Sequence, residues 1–263
     1  GIGGRNALDY LIKVKGYSFL EAVETIIGHT AIQAPVYEKP QLKEENKPLL
    51  LPEKCASNRV ITEYLFGRGI DFEIINYCIS NDLIFESLPY HNVVFVGYDE
   101  KKEPKYAAYR STNKRRIMGD CSGSKKDYSF RLGKENLEEV HLFECAIDLL
   151  SYATLAKLNG QDWKEMSFVS LSGVYSPAKK IEDSKVPIAL EKYLDSNPSV
   201  RKIRIHFDND IAGRKAAQTL KTILPDKYEI VDEPPKAGKD FNDFLCMRMG
   251  IYNKKTHERN EER

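Results

Sequence analysis

The chain has 263 residues and carries 40 Lys and Arg against 39 Asp and Glu, a net charge of +1. That length suits one large or two small domains with sizeable cores, and no apolar run is long enough to span a bilayer, which argues against a membrane partner. Five cysteines, at 55, 78, 121, 145 and 246, are scattered without a CxxC pair. The expectation is therefore reduced thiols in a cytoplasmic protein, with no zinc site within this chain. Cys78 and Cys145 read as small apolar fillers. No signal peptide is visible, and a first residue that is Gly instead of Met predicts an excised fragment.

Residues 1–28 predict a helical hairpin. The first helix follows Gly3-Gly4, puts Ala7, Leu8, Leu11 and Ile12 on one face and ends at Gly16. Ser18, with Glu21 three residues on, forms a capping box for the second, whose stripe is Leu20, Val23, Ile26 and Ile27. Residues 29–52 mix proline with Lys and Glu and predict a linker, with Leu49, Leu50 and Leu51 docking its end on the next domain. Residues 56–80 are helical again, broken at Gly67-Arg68-Gly69, with Asp71 as cap of the following helix. Arg68 is read either as a nucleic-acid contact or as a solvated loop arginine.

Strands are expected at 83–85, 92–98 and 106–110. Between residues 101 and 134 stand eleven Lys and Arg, opposed only by Glu103, Asp120 and Asp127, so this stretch is +8 and the rest of the chain about −7. Tyr106, Tyr109 and Tyr128 are interleaved with the cations. Cations neutralise phosphates and aromatic rings stack on bases, as single-strand binding requires; such a run otherwise solubilises a hairpin edge. Arg110, Lys114, Arg115, Arg116, Lys125 and Lys126 are the candidate contacts.

From 137 onward the pattern alternates strand and helix, the mark of a mostly parallel sheet. Strands are predicted at 140–143, 167–171, 202–207 and 228–231, and helices at 146–158, 187–195, 212–223 and 240–249. Three acidic clusters sit where strands end: Glu144 with Asp148 in FECAID, Asp208 and Asp210 in HFDNDIAGRKAA, and Lys239, Asp240, Asn242 and Asp243 in KDFNDFL. Ligands of open α/β sheets bind outside the carboxyl ends of strands, and carboxylates converging there suit Mg²⁺ or Mn²⁺. Gly213 lets the backbone approach a phosphate or metal; Arg214 and Lys215 either hold phosphate or are solvated. The tail 251–263 is charged and without apolar period.

A Glu at a strand end, a DxD-x-AG and a terminal KDxND, in that order, resemble the Toprim domain. Cys145 departs from the Gly that many Toprim domains have after the Glu. YLFGRGID (64–71), Pro104-Lys105-Tyr106 and Gly123-Ser124-Lys125-Lys126 resemble the polymerase domain of bacterial primases, and residues 1–28 resemble the segment that follows a primase zinc ribbon. The whole is similar to primase-like Toprim proteins of conjugative plasmids and integrative elements, in which a domain of unassigned function comes first.

The resemblance implies an α/β fold: a Toprim-type, mostly parallel sheet flanked by helices over 137–250, a smaller basic α+β subdomain over 53–136, and the N-terminal hairpin. Zinc is expected only in a ribbon upstream of Gly1. Glu144, Asp208 and Asp210 are implied as catalytic and metal-binding, joined on the metal by Asp240 and Asp243, with Asp148, Gly213 and Asn242 in support. Lys105 is carried over as a nucleotide or template contact, beside Arg68, Lys239 and the basic run. The implied partners are single-stranded DNA and nucleoside triphosphates, with a replicative helicase or relaxosome proteins in the same pathway. A Toprim nuclease and a non-catalytic single-strand-binding accessory remain as alternatives.

Overall fold

The structure, a computed structural model, describes residues 7–17, 21–22, 25–26, 47–173, 175, 177–178 and 180–251. The chain divides into two compact units, residues 1–46 and 47–263. In the first, helix α1 (Ala7–Lys13) is followed by a turn in which Gly16 takes φ +74° and Tyr17 N–H returns to the Leu11 carbonyl at 3.1 Å. That is the left-handed ending glycine permits. Residues 21–22 and 25–26 are helical, while the Ser18 cap and residues 29–46 of the linker lie outside the described residues.

In the second unit only one of the three linker leucines docks. Leu49 packs against Phe85, Val94, Val96 and Ala107, whereas Leu50 and Leu51 are 62% and 38% exposed. Two helices follow, α2 (Arg59–Phe66) and α3 (Phe72–Ser80), the second capped by Asp71 accepting from Glu73 N–H at 2.8 Å. An antiparallel sheet comes next, β1 (Ile84–Ser87), β2 (Asn92–Tyr98), β3 (Pro104–Arg110) and β4 (Met118–Asp120), in the order β1-β2-β3-β4.

The second sheet holds β5 (Arg131–Gly133), β6 (Glu139–Phe143), β7 (Ser167–Ser170), β8 (Lys202–Ile205) and β9 (Glu229–Asp232) in the order β5-β7-β6-β8-β9. Every pair is parallel except β5 with β7. Neither β4 nor β5 is among the strands expected from sequence, because three residues are too few to show a period of two. β5 also sits inside the span given to the basic subdomain, yet it extends the parallel sheet.

Helices α4 (Ala146–Leu158), α5 (Ile188–Ser196), α6 (Ile211–Ile223) and α7 (Phe241–Arg248) complete the unit. Alternation along the strands separates the two faces of the parallel sheet. Val140, Leu142, Ile203 and Ile205 pack under α5 and α6. Phe143, Phe168 and Leu132 enter a larger core with α2, α3, α4 and α7 that also takes Phe95 and Phe130. Residues of 53–136 and of 137–250 thus share one core.

The chain passes from β6 to β7 through α4 on one face, then recrosses β6 through α5 on the other face to reach β8. Strand order reverses between β6 and β8. The crevice outside their carboxyl ends is the switch point at which such sheets take ligands.

Candidate functional site

Both strands that flank the switch point end in carboxylates. Leu142 pairs with Ile205 across β6 and β8, which brings Glu144 and Asp208 to the same edge a few residues later. Asp208 N–H donates to Glu144 Oε1 at 3.2 Å. Asp210 caps α6 by accepting from Gly213 N–H at 2.9 Å. Gly213 is required by space: a Cβ there would stand 2.2 Å from the Asp208 carbonyl oxygen and 3.0 Å from Glu144 Oε1. Only glycine lets α6 begin against the Glu144 side chain.

The third cluster arrives through the loop before α7. Lys239 O accepts from Asn209 N–H at 2.7 Å, tying that loop to the DxD turn. The Lys239 ammonium lies 3.1 Å from Asp208 Oδ2 and 3.2 Å from Asp210 Oδ2. Asp240 caps α7, accepting from Asp243 N–H at 2.7 Å, and Asp243 Oδ2 accepts from Lys239 N–H at 3.3 Å. The second bond turns the Asp243 carboxylate toward backbone.

Asp148 and Asn242 lie behind these groups. Asp148, 6% exposed, accepts from Cys145 Sγ at 2.9 Å and from Asn242 N–H at 3.2 Å. Asn242 Nδ2 donates to Ser151 Oγ and to the Arg68 carbonyl, at 3.0 and 2.9 Å. Cys145 is thus a hydrogen-bond donor to the carboxylate, beyond the filler role expected of it. Gly173 N–H, after β7, donates to the Glu144 carbonyl at 2.9 Å. Arg214 belongs to neither of the two roles weighed for it. Its guanidinium donates to the carbonyls of Asp208 (3.2 Å) and Phe207 (2.8 Å) and pairs with Asp232 at 2.7 Å, so it pins the DxD turn.

Burial and like charge set the electrostatics. Glu144, 5% exposed, is pushed up to about 7, by burial first and by Asp208 next. Burial and then Asp240 raise Asp148 as well. Asp208 is raised by burial against the pull of Lys239, while the Gly213 amide holds Asp210 below the usual range. Asp243 is raised by burial and by Asp240. Hydrogen bonding to Asp208 and then Asp210 strengthens the hold of Lys239 on its proton. A hard divalent ion fits this donor set: the oxygens are carboxylate, and those of Asp208 and Asp210 already converge on one cationic group.

A cleft of about 310 Å³ runs beside the crevice between the two sheets, lined by Tyr106, Arg110 and Lys126 on one side and by Cys145 and Ser172 on the other. Arg110 Nε and Arg68 Nη1 both donate to Tyr64 Oη, at 3.1 and 3.4 Å. Arg68 also stands near enough to Asp243 to oppose part of the rise that burial causes there, so it is more than a solvated loop residue. Tyr64 itself carried no chemical signal in the sequence apart from its place in YLFGRGID.

The remaining basic candidates divide. Lys114, Arg115 and Arg116 are exposed in the loop between β3 and β4, and Arg116 takes φ +52°. Lys125 N–H donates to the Lys105 carbonyl at 2.9 Å, joining the two primase-like motifs through backbone. Lys126 pairs with Asp120 at 3.2 Å and donates to the Ser172 carbonyl at 3.3 Å. Lys105 is held by Glu103 at 2.6 Å and Asp99 at 3.4 Å. Alternation along β3 puts it on the face opposite Tyr106 and the cleft.

Residues 141–245 match the Toprim-like family, and residues 63–136 match a protein family of unknown function, DUF3991. No curated protein matches the chain. Among solved structures it is similar to the primase fragment of the bacteriophage T7 primase-helicase protein, at 19% identity and TM-score 0.48, covering 71% of this chain and 68% of that one. It is similar to the E. coli primase catalytic core, at 12% identity and TM-score 0.46, covering 78% and 72%. For the zinc-binding and RNA polymerase domains of Aquifex aeolicus primase the values are 15% and 0.45, covering 94% and 68%.

Proposed function

We propose that this chain, in which a DUF3991 domain precedes a Toprim-like domain, is a metal-dependent primase-like nucleotidyltransferase acting on single-stranded DNA. The observation that carries the reading is the carboxylate crevice at the switch point. A buried Glu144 with its pKa near 7 hydrogen-bonds the backbone of a turn whose two aspartates share one cation.

In this reading Glu144, Asp208, Asp210 and Asp240 would hold Mg²⁺ or Mn²⁺, which would supply neutralisation of phosphate charge at the reacting centre. Glu144 takes the proton of the attacking nucleotide hydroxyl, which a carboxylate tuned toward neutrality does best. Lys239 holds the two aspartates in place and is displaced toward phosphate as the substrate binds. Arg110 and Arg68 flank the crevice, while Lys114, Arg115 and Arg116 hold the backbone of the strand. Residues 53–136 act as the nucleic-acid subdomain and 137–250 as the chemical one. The setting we infer is the cytoplasm of a cell carrying a conjugative or integrative element, in company with a helicase or relaxosome.

The test is incubation with a single-stranded template, labelled nucleoside triphosphates and Mn²⁺. Extension products support the reading. Shortened strands would replace it with a nuclease, and a mobility shift without either would reduce the protein to a binding module.

A further inference from the structure

Away from the crevice, at the outer end of the antiparallel sheet, Cys55, Glu86 and His91 meet. One ligand atom from each, sulfur, carboxylate oxygen and ring nitrogen, lies within 4.8 Å of the other two. Separate segments supply them: the stretch before α2, the strand β1, and the turn from β1 to β2. Each is pinned by backbone. Cys55 N–H donates to the Glu86 carbonyl at 2.7 Å, Leu88 N–H to the Glu53 carbonyl at 2.8 Å, and His91 N–H to the Ser87 carbonyl at 2.8 Å. The His91 carbonyl accepts from Thr112 Oγ1 at 3.0 Å. His91 sits at φ +52°, a region that non-glycine residues occupy only when the surroundings hold them there.

Glu86 is the centre of the arrangement, at 1% exposure. Its Oε2 accepts from Val60 N–H at 2.8 Å and Ile61 N–H at 3.2 Å, at the start of α2. Asn58, the residue in the cap position of that helix, makes no cap bond there, and its Oδ1 instead accepts from Glu86 N–H at 2.9 Å. The helix start therefore occupies one carboxylate oxygen. The other, Oε1, meets His91 Nδ1 at 2.6 Å, with the half-buried Cys55 thiol alongside.

We propose that Cys55, Glu86 and His91 form a binding site for a borderline divalent cation of the zinc type. A thiolate and an imidazole prefer such an ion to Mg²⁺ or Ca²⁺, and three protein ligands with a fourth position open is a common zinc arrangement. Zn–S and Zn–N distances of about 2.3 and 2.0 Å require the three donor atoms to close around the ion. Rotation of the half-exposed His91 ring and of the Cys55 thiol supplies that movement. Binding releases the thiol proton. Such a site is separate from the carboxylate crevice and revises the expectation of a chain without zinc. Spacings of 31 and 5 residues between the ligands, read from their positions, match no metal motif, so the sequence hid it.

The experiment uses the whole chain, stripped with chelator and titrated with Co²⁺ and then Zn²⁺. One equivalent of Co²⁺ is expected to give a thiolate-to-cobalt charge-transfer absorption that Zn²⁺ bleaches. Cys55→Ser should abolish the band, and His91→Asn, which tolerates the left-handed backbone, should weaken affinity about a hundredfold or more, at or above the range for losing an outer partner of a ligand. Cys121→Ser and the pair Asp208→Asn, Asp210→Asn should leave the band intact. No band at one equivalent, or a band that survives Cys55→Ser, overturns the proposal. A readout independent of variant folding is alkylation of Cys55 in the wild-type chain. Zn²⁺ should slow it, and an unchanged labelling rate overturns the site equally.

Discussion

The carboxylate crevice and the basic antiparallel sheet place their charges by different means. In the crevice three of the carboxylates are aimed by backbone, Glu144 by the Asp208 amide, Asp210 by Gly213 and Asp240 by Asp243, while Asp208 is held by Lys239. In the basic region the side chains find their own partners, and several of the eleven cations are spent internally. Glu103 and Asp99 hold Lys105, Asp120 holds Lys126, Glu165 holds Lys134, and Arg110 turns to Tyr64. Charges fixed by backbone keep their like neighbours, and burial then decides the outcome: it raises Glu144, whereas the Gly213 amide holds the more open Asp210 below the usual range. Charges on long side chains neutralise themselves. A count of Lys and Arg therefore overstates the free positive charge of the region.

The largest effect should come from breaking the carboxylate set. Asp208→Asn together with Asp210→Asn keeps the cap on α6, since Asn is as good a cap as Asp, but removes both charges that share one cation. Calorimetric titration with Mn²⁺ should show binding in the wild type and none in the pair, with an unchanged circular-dichroism spectrum. Equal heats would mean that the crevice is not a metal site. Next in size is Glu144→Gln. Any extension or cleavage should fall at least about a hundredfold, the usual loss for a general base, with DNA mobility shifts retained. Full activity in the variant would reduce Glu144 to a helix-start residue.

This contrast also explains what the sequence made legible. Glu144, Asp208, Asp210 and the strands before them could be read because each lies at the end of an apolar run, and the parallel sheet and its helices followed from the same alternation. Gly213 stood in the DxD-x-AG pattern for a reason the structure makes spatial. Three things stayed hidden. β4 and β5 are too short to show a period. The fate of Lys105 and Lys126 depends on Asp99, Glu103 and Asp120, whose approach only the folded hairpin decides. Arg214, equally basic on paper, is absorbed by two carbonyls and Asp232.

A smaller effect tests the electrostatics in the absence of metal. Glu144 is raised to about 7, so its ionisation opposes folding: the penalty is complete above pH 7 and is relieved as pH falls toward the unfolded value of about 4.3. Glu139 is the reverse case. A hydrogen bond from His141, and then one from Arg204, lowers it to about 2, so its stabilisation is present above about pH 4.3 and is lost as pH falls toward 2. In chelator, Glu144→Gln should melt above wild type at pH 8, by an amount equivalent to about 1–3 kcal/mol, and match it near pH 4. Glu139→Gln should melt below wild type at pH 8, with a deficit that shrinks toward pH 3. Parallel pH profiles for the two variants would show that burial does not govern Glu144.

The smallest effect separates the two kinds of cation inside the basic region itself. Lys114, Arg115 and Arg116 make no ion pair among the described residues, and their loop is exposed. Each phosphate contact on a single strand contributes roughly 0.7 to the slope of log affinity against log salt. Replacing the three with Ser should lower that slope by about 2 if all three touch phosphate. Lys105→Ser should lower it by much less than one contact's worth, because Glu103 and Asp99 already neutralise this ammonium on the face away from the cleft. Any fall in affinity from Lys105→Ser should then be small and nearly the same at low and high salt. A slope that drops by a full contact would mean that nucleic acid pulls Lys105 from its two carboxylates, and the pairing in the hairpin turn would be the resting state of a phosphate ligand.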